Sequence, residues 1–182
     1  RMVREDVPDA VHIANTEFGN DYYVVDDLIG YLDDPSMNCF TAVDDGEVVG
    51  FALWAIFGPE EVDDRLFLPG SWERDELMRQ DRICLLDAIA VRDDHKGRGI
   101  ATMLNDVFIS SHAMDGCSAV TAVAWETRDH VINADRILRT MGLEPRFSMP
   151  GYWNQFVDQS EHRCPVCDIG CKCYGKLYMR LL

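Results

Sequence analysis

Apolar residues recur at two different periods along this chain of 182 residues. Residues 7–19 (VPDAVHIANTEFG) carry them at helical spacing behind an acidic start, which predicts a first helix stopped at Gly19. Residues 23–34 predict a second, shorter helix. The period then changes. Residues 38–57 form two β-rich runs around Asp45-Gly46, a hairpin signal, because that dipeptide readily takes the left-handed conformations of a tight turn. Residues 58–82 are polar and broken by Pro59, Pro69 and Gly70, with room for a short helix over 72–79. ICLLDAIAV (83–91) is apolar on both faces except at Asp87, as suits a strand inside a sheet, with Asp87 expected on the same face as Leu85 and Ile89.

The second half continues the alternation. Residues 100–114 place Ile100, Met103, Leu104, Val107, Phe108 and Ser111 on one helical face; 118–125 predict a strand; 131–143 predict a helix running out at Gly142. Two closing strands are expected, over 146–153 and 174–182, with a cysteine-bearing segment at 163–174 between them. Without repeats, low-complexity segments or linkers, residues 1–182 read as one α/β domain carrying a small cysteine-rich insertion.

Composition adds limits. The net charge of −15 repels phosphate backbones and sets nucleic acid aside as a partner; an acidic groove would instead attract a cationic amine. A general surface acidity shared by an organism's proteins gives the same number. No apolar run reaches the roughly 18 residues a membrane span needs. The opening RMVRED resembles no signal peptide, so a cytoplasmic location is expected. In that compartment thiols stay reduced, and Cys39, Cys84 and Cys117 are expected as separate small core residues.

Lys96-Gly97-Arg98-Gly99-Ile100-Ala101 lies between the buried strand and the amphipathic helix. Glycines there let several N–H groups converge, and a helix start adds unpaired donors and the positive end of its dipole. The combination suits a pyrophosphate, with Lys96 and Arg98 adding charge. A plain strand-to-helix turn would also use these glycines. The loop is neither a P-loop nor a dinucleotide fingerprint.

The stretch LLDAIAVRDDHKGRGIATMLNDVF resembles the core motif of the GNAT superfamily of N-acetyltransferases, in which an Arg/Gln-x-x-Gly-x-Gly/Ala loop holds the pyrophosphate of acetyl-coenzyme A. Lys96 stands at the first position, Gly99 at the fourth and Ala101 at the sixth, and the element order along the chain is similar to that family's. The resemblance implies a GNAT fold, a mixed central β-sheet flanked by helices. It implies a cofactor site at Ile89, Ala90 and Val91 for the pantetheine arm and at Gly97, Arg98, Gly99, Ile100, Ala101 and Thr102 for the pyrophosphate, with Asn133 as a further contact.

The implied activity is acetyl transfer from acetyl-coenzyme A to a small amine or a peptide or protein amine by direct attack, and a homodimer is compatible with it. Asp87 and Glu126 are the candidate bases; a buried structural Asp and a solvated strand-end Glu are the alternatives. Many relatives place an acidic Tyr four residues before the glycine that ends the last helix, where this chain has Leu138. Tyr152 or Tyr174 could replace it. Otherwise the fold serves as a coenzyme A-binding module with little or no turnover. His130 reads as a surface residue at a helix start.

Cys164-x2-Cys167-x3-Cys171-x-Cys173 gives four sulfur ligands within ten residues. That set matches a closed, structural Zn2+ site; an iron–sulfur cluster and metal-free thiols are the other readings. A saturated metal leaves no position for substrate, so the expected role is a clip that orders a loop beside the acceptor, or a knob for partners or metal sensing.

Overall fold

The computed structural model describes residues 1–111, 114–156 and 163–182. The described elements are α1 (Val7–Phe18), α2 (Val25–Asp33), β1 (Met37–Asp44), β2 (Glu47–Phe57), α3 (Val62–Leu66), α4 (Trp72–Leu77), β3 (Ile83–Val91), α5 (Ile100–Ser110), β4 (Ala119–Glu126), α6 (Asp135–Thr140), β5 (Glu144–Pro150) and β6 (Tyr174–Leu181). The described strands form one mixed sheet in the order β1-β2-β3-β4-β6-β5, in which only β3 and β4 run parallel. Helices cover both faces, as expected for the GNAT fold. Leu28, Phe51, Leu53, Leu66, Leu77 and Ile83 belong to the core under α1–α4; Trp54, Leu86, Leu104, Phe108, Leu138 and Tyr178 belong to the core under α5 and α6. No described helix is long and apolar enough to cross a membrane.

The hairpin turns at Asp45 and Gly46, both at positive φ, as their identities demand. Four other elements depart from the sequence pattern. The strand expected over 146–153 is β5, which ends at Pro150, and Tyr152–Gln155 turn as a short 3-10 helix. Residues expected to be irregular contain α3. Helix α6 starts later than expected, because Glu126 bridges Ile132 and Thr127 accepts from and donates to Val131, holding residues 127–131 in a tight loop. Helix α5 buries Ile100, Leu104, Asn105 and Phe108, whereas Met103 and Val107 face outward at 55% and 50% exposure. The stripe follows the strict i, i+4 row, so the i+3 residues assigned to it fall off its edge. Residues 112 and 113 of the expected helix lie outside the described residues.

Cys84 and Cys117 are joined in a disulfide, with Cα atoms 6.3 Å apart, and are not the separate thiols expected. Parallel pairing of Ile83 with Ala119 brings the start of β3 beside the segment entering β4, so the bond closes the base of the β3–α5–β4 crossover. Cys39 remains a free, buried thiol.

Candidate active site

Beside Asp87 the sheet is irregular. Leu53 pairs with Ala88 and Trp54 with Leu86, which leaves Asp87 as the extra residue of a β-bulge. The bulge resets the alternation. Asp87 keeps to the Leu85 face, but Ile89 moves to the opposite one, contrary to the even spacing read from the sequence. The parallel pairing of β3 with β4 runs from Ile83↔Ala119 to Leu86↔Ala122 and stops just before the bulge. Beyond it the strands separate, and a cavity of about 810 Å³ occupies the gap.

Asp87, Ile89, Ala90 and Val91 form one wall of this cavity, and residues 122–125 of β4 form the facing wall. The Tyr23 hydroxyl donates to Asp87 Oδ2 at 3.1 Å. Burial pushes the Asp87 carboxyl above the usual carboxylate range; the Tyr23 bond and the more distant Arg65 offset this only in part. Tyr22, Phe18, Trp125 and Trp153 add an aromatic lining.

The glycine loop borders the same cavity. Gly97 and Gly99 take φ of 76° and 81°, a conformation L-residues resist, and a Cβ at either would meet nothing within 4 Å. Backbone conformation, not crowding, demands the glycines there. Helix α5 begins at Gly99 without a side-chain cap, so the first-turn amides are left for a ligand. Lys96 does not supply the free charge expected of it: its Nζ lies 2.5 Å from both Glu17 and Asp93. Arg98 donates to the Asp94 carbonyl and does not line the cavity. Arg136 of α6 does line it, and makes no ion pair among the described residues. Its flanking pattern is that of an ordinary exposed helix position, so no sequence signal singled it out.

Residues 6–143 match the family model described as "Acetyltransferase (GNAT) family". The chain belongs to the GNAT acetyltransferase family. No curated protein sequence matches it, but many solved structures share its fold. NAA60 of Arabidopsis thaliana, in complex with a bisubstrate analogue, superposes with a TM-score of 0.67 at 18% identity, covering 97% of this chain and 92% of its own. A ribosomal-protein-alanine N-acetyltransferase from Brucella melitensis gives 0.62 at 15% identity, with 100% and 97% covered. A Drosophila melanogaster polyamine N-acetyltransferase gives 0.55 at 12% identity, with 87% and 80% covered.

The remaining expected site residues of this GNAT chain are divided between the cavity and its surroundings. Ile100, Ala101, Thr102 and Asn133 line the cavity. Leu138 lines it too, 1% exposed, so a side chain without a hydroxyl faces the cavity at the position where the resemblance led to a Tyr being expected. Neither expected substitute reaches in. Tyr152 is buried with its hydroxyl donating to the Leu66 carbonyl, and Tyr174 stacks on His130. Tyr22 is the tyrosine at the cavity wall; burial first, then the nearby Asp87, holds its phenol far above the usual range and hence protonated.

Glu126 is not a solvated strand end. It is 4% exposed, on the α6 side of β4 and outside the cavity lining. Its Oε1 lies 2.6 Å from His130 Nδ1. Burial works to raise the carboxyl, but Ser148, His130 and Lys176 together hold it below the usual range. A carboxylate so partnered is a poor proton acceptor. His130, at φ 63°, is exposed as expected, but it lies in the 127–131 loop and not at a helix start.

The four cysteines of the insertion come together, with sulfurs all within 4.8 Å of one another. Asp168 and Gly170 take positive φ, and Cys164 and Asp168 exchange backbone hydrogen bonds, folding the segment into a turn that points its thiols inward. Cys173 lies 3.9 Å from Cys164 and 3.6 Å from Cys167, sulfur to sulfur. Burial pushes the Cys171 thiol up to about 11, and the neighbouring Cys164 adds to the rise.

Proposed function

We propose that this chain transfers the acetyl group of acetyl-coenzyme A to a primary amine by direct attack. One observation carries the reading: a single cavity runs from the uncapped start of α5, through the gap between β3 and β4, to the half-buried carboxyl of Asp87. The amides from Gly97 to Thr102 would hold the pyrophosphate, with Arg136 and Asn133 at its flank. The β3 backbone at Ile89–Val91, released from β4, would bond the pantetheine arm.

In the transfer, the amine lone pair attacks the thioester carbonyl, the C–N bond forms, and the C–S bond breaks as the tetrahedral adduct collapses. Asp87 takes the first proton of the ammonium, before attack, and its burial makes it a better acceptor near neutral pH than an exposed carboxylate. We assign to Tyr22, not Tyr152 or Tyr174, the hydroxyl that gives its proton to the departing thiolate, which leaves as the free thiol. The second proton, shed by nitrogen as the adduct collapses, restores the phenol. Glu126 acts as a structural anchor for the 127–131 loop. The aromatic lining and the acidic surface favour an amine carried on an apolar group, delivered as a cation.

The cysteine cluster fits one Zn2+. Four thiolates about 2.3 Å from a tetrahedral ion lie about 3.8 Å apart, near the separations found at Cys173. An iron–sulfur cluster is larger than one ion and would hold the sulfurs farther apart. Bound, the ion supplies structure and takes no part in the transfer. We place the protein in the cytoplasm on its acidic surface and free cysteine cluster, although the Cys84–Cys117 bond runs against that compartment's usual chemistry.

Release of free thiol from acetyl-coenzyme A across a panel of alkyl amines, polyamines and free-amine peptides tests the activity. Turnover of at least one class supports it. Tight coenzyme A binding with no turnover supports a second reading, a binding module, which the apolar Leu138 at the cavity wall favours. Absence of both refutes the two together.

A further inference from the structure

The metal site and the acetyl-transfer cavity share a wall. Cys164 and Cys171 line the same cavity as Asp87, and the cysteine cluster packs against Trp125 and Trp153, which line it too. The insertion also reaches the opposite rim: the Arg163 amide donates to Asn20 Oδ1 at 2.5 Å, in the connection between α1 and α2 that carries Tyr22. Cys171 is tied to the residues after β5 by Asn154, whose Nδ2 donates to its carbonyl at 3.2 Å.

Among the described residues, only a few further bonds hold this wall in shape. Between Arg163 and Cys173 the described backbone pairing is the exchange between Cys164 and Asp168 and, at its end, the Gly151 amide donating to the Cys173 carbonyl. One ion pair runs from Arg163 to Asp168, and two of the segment's residues need positive φ. Four thiols lie together where an apolar plug would normally pack. Such a segment depends on a cross-link for its conformation, and a thiophilic ion is the cross-link these residues offer. The surfaces assigned to acetyl-coenzyme A lie on β3, the glycine loop, α5 and α6, and receive no ligand from the cluster.

We propose that an ion of the Zn2+ class at Cys164, Cys167, Cys171 and Cys173 is the keystone of the acceptor wall, so that metal occupancy controls binding of the amine and leaves binding of acetyl-coenzyme A unchanged. The proposal rests on the reading of the cavity as an acetyl-transfer site. It makes the insertion a metal-dependent specificity element and not a remote staple. Loaded, the wall holds Trp125 and Trp153 against the space beside Asp87. Stripped, that side of the cavity loses its shape.

The test compares the full chain stripped by chelation with the same protein reloaded with zinc chloride, alongside Cys167→Ser. Three quantities are read: acetyl-coenzyme A affinity by calorimetry, KM for the amine that turns over fastest, and hydrogen exchange by peptide. Expected on stripping are an acetyl-coenzyme A affinity unchanged within about twofold and a KM for the amine raised about tenfold or more. Faster exchange is expected over residues 163–173 and 18–23 but not over 83–108. Cys167→Ser should bind zinc weakly and resemble the stripped protein.

An unchanged KM for the amine in zinc-free protein overturns the proposal, as does a cluster that takes up no zinc. Loss of acetyl-coenzyme A binding together with faster exchange across the whole sheet also overturns it, since the ion would then hold the fold at large. If the loaded protein neither binds acetyl-coenzyme A nor acetylates, the proposed function fails first; the zinc content and the exchange pattern identify that case.

Discussion

Replacing Asp87 by Asn separates chemistry from folding at one atom. The amide would keep an oxygen to accept the Tyr23 hydroxyl, now 3.1 Å from Oδ2, and would fill the same space in the bulge. The variant loses only the ability to carry charge and take a proton. A positioned general base contributes about 100- to 10,000-fold, so kcat should fall by that factor, roughly 3–5 kcal/mol in the barrier. Affinity for acetyl-coenzyme A should not change.

Stability should move the other way. Burial raises the Asp87 pKa, so the folded state holds its proton more tightly than the unfolded state does. Folding therefore loses stability as pH rises from the ordinary carboxylate value through the raised one, and above both the full cost of the buried charge is present. Removing that charge recovers on the order of 1–3 kcal/mol at pH 8. At about 2–4 °C per kcal/mol for a chain of this size, Tm should rise by several degrees at pH 8, and the gain should shrink towards zero below pH 4. Wild-type kcat should climb with pH through the raised pKa, and the variant should lack that limb. Stopped-time thiol release and thermal melts at pH 4, 6 and 8 measure both effects. A loss under about threefold in kcat would mean that Asp87 is not the base, and a lower Tm at pH 8 that its charge does not oppose folding.

Other perturbations address the remaining parts. Arg136→Glu should raise the acetyl-coenzyme A KM about tenfold and weaken its salt dependence, both read from steady-state kinetics at two ionic strengths. Gly99→Val forces a β-branched residue to φ 81°, so calorimetry should find acetyl-coenzyme A binding weakened about tenfold or more, with Tm lowered by a few degrees. Tyr22→Phe should lower kcat about tenfold and leave the acetyl-coenzyme A affinity intact. The Cys84–Cys117 disulfide closes a separation of 33 residues, which corresponds to about 3.7 kcal/mol in the chain-entropy model. The double alanine variant should accordingly melt roughly 10 °C lower. Alkylation of denatured, chelated protein should label five thiols before reduction and seven after it.

Periodicity exposed most of the sheet because each strand buries at least one face, and the glycine loop was legible because positive φ restricts the residue there. What escaped depends on pairings between distant segments. Alternation cannot register a bulge, so the single extra residue at Asp87 hid the exchange of faces between Leu85 and Ile89. The charge of Lys96 looked available until the fold brought Glu17 against it. Cys84 and Cys117 look unrelated along the chain and become neighbours only through the parallel pairing of β3 with β4. Glu126 looked solvated because the sequence does not say that Ser148 and Lys176 will close over it. The cysteine quartet was plain from spacing alone, whereas its place on the cavity wall was not.

The order of the sheet also bears on how the chain is made. Strand β6 follows β5 in synthesis yet lies inside it, between β4 and β5, and among the described strands β5 pairs with no other. A growing chain therefore completes the β3–α5–β4 crossover, with its glycine loop, while β5 still waits for its neighbour. Pro145 and Pro150 give β5 two positions that cannot donate to a foreign strand, a safeguard for a segment left temporarily exposed. The half of the molecule assigned to the cofactor can take shape first. The half assigned to the acceptor closes when β6 slides in and draws the four cysteines after Trp125.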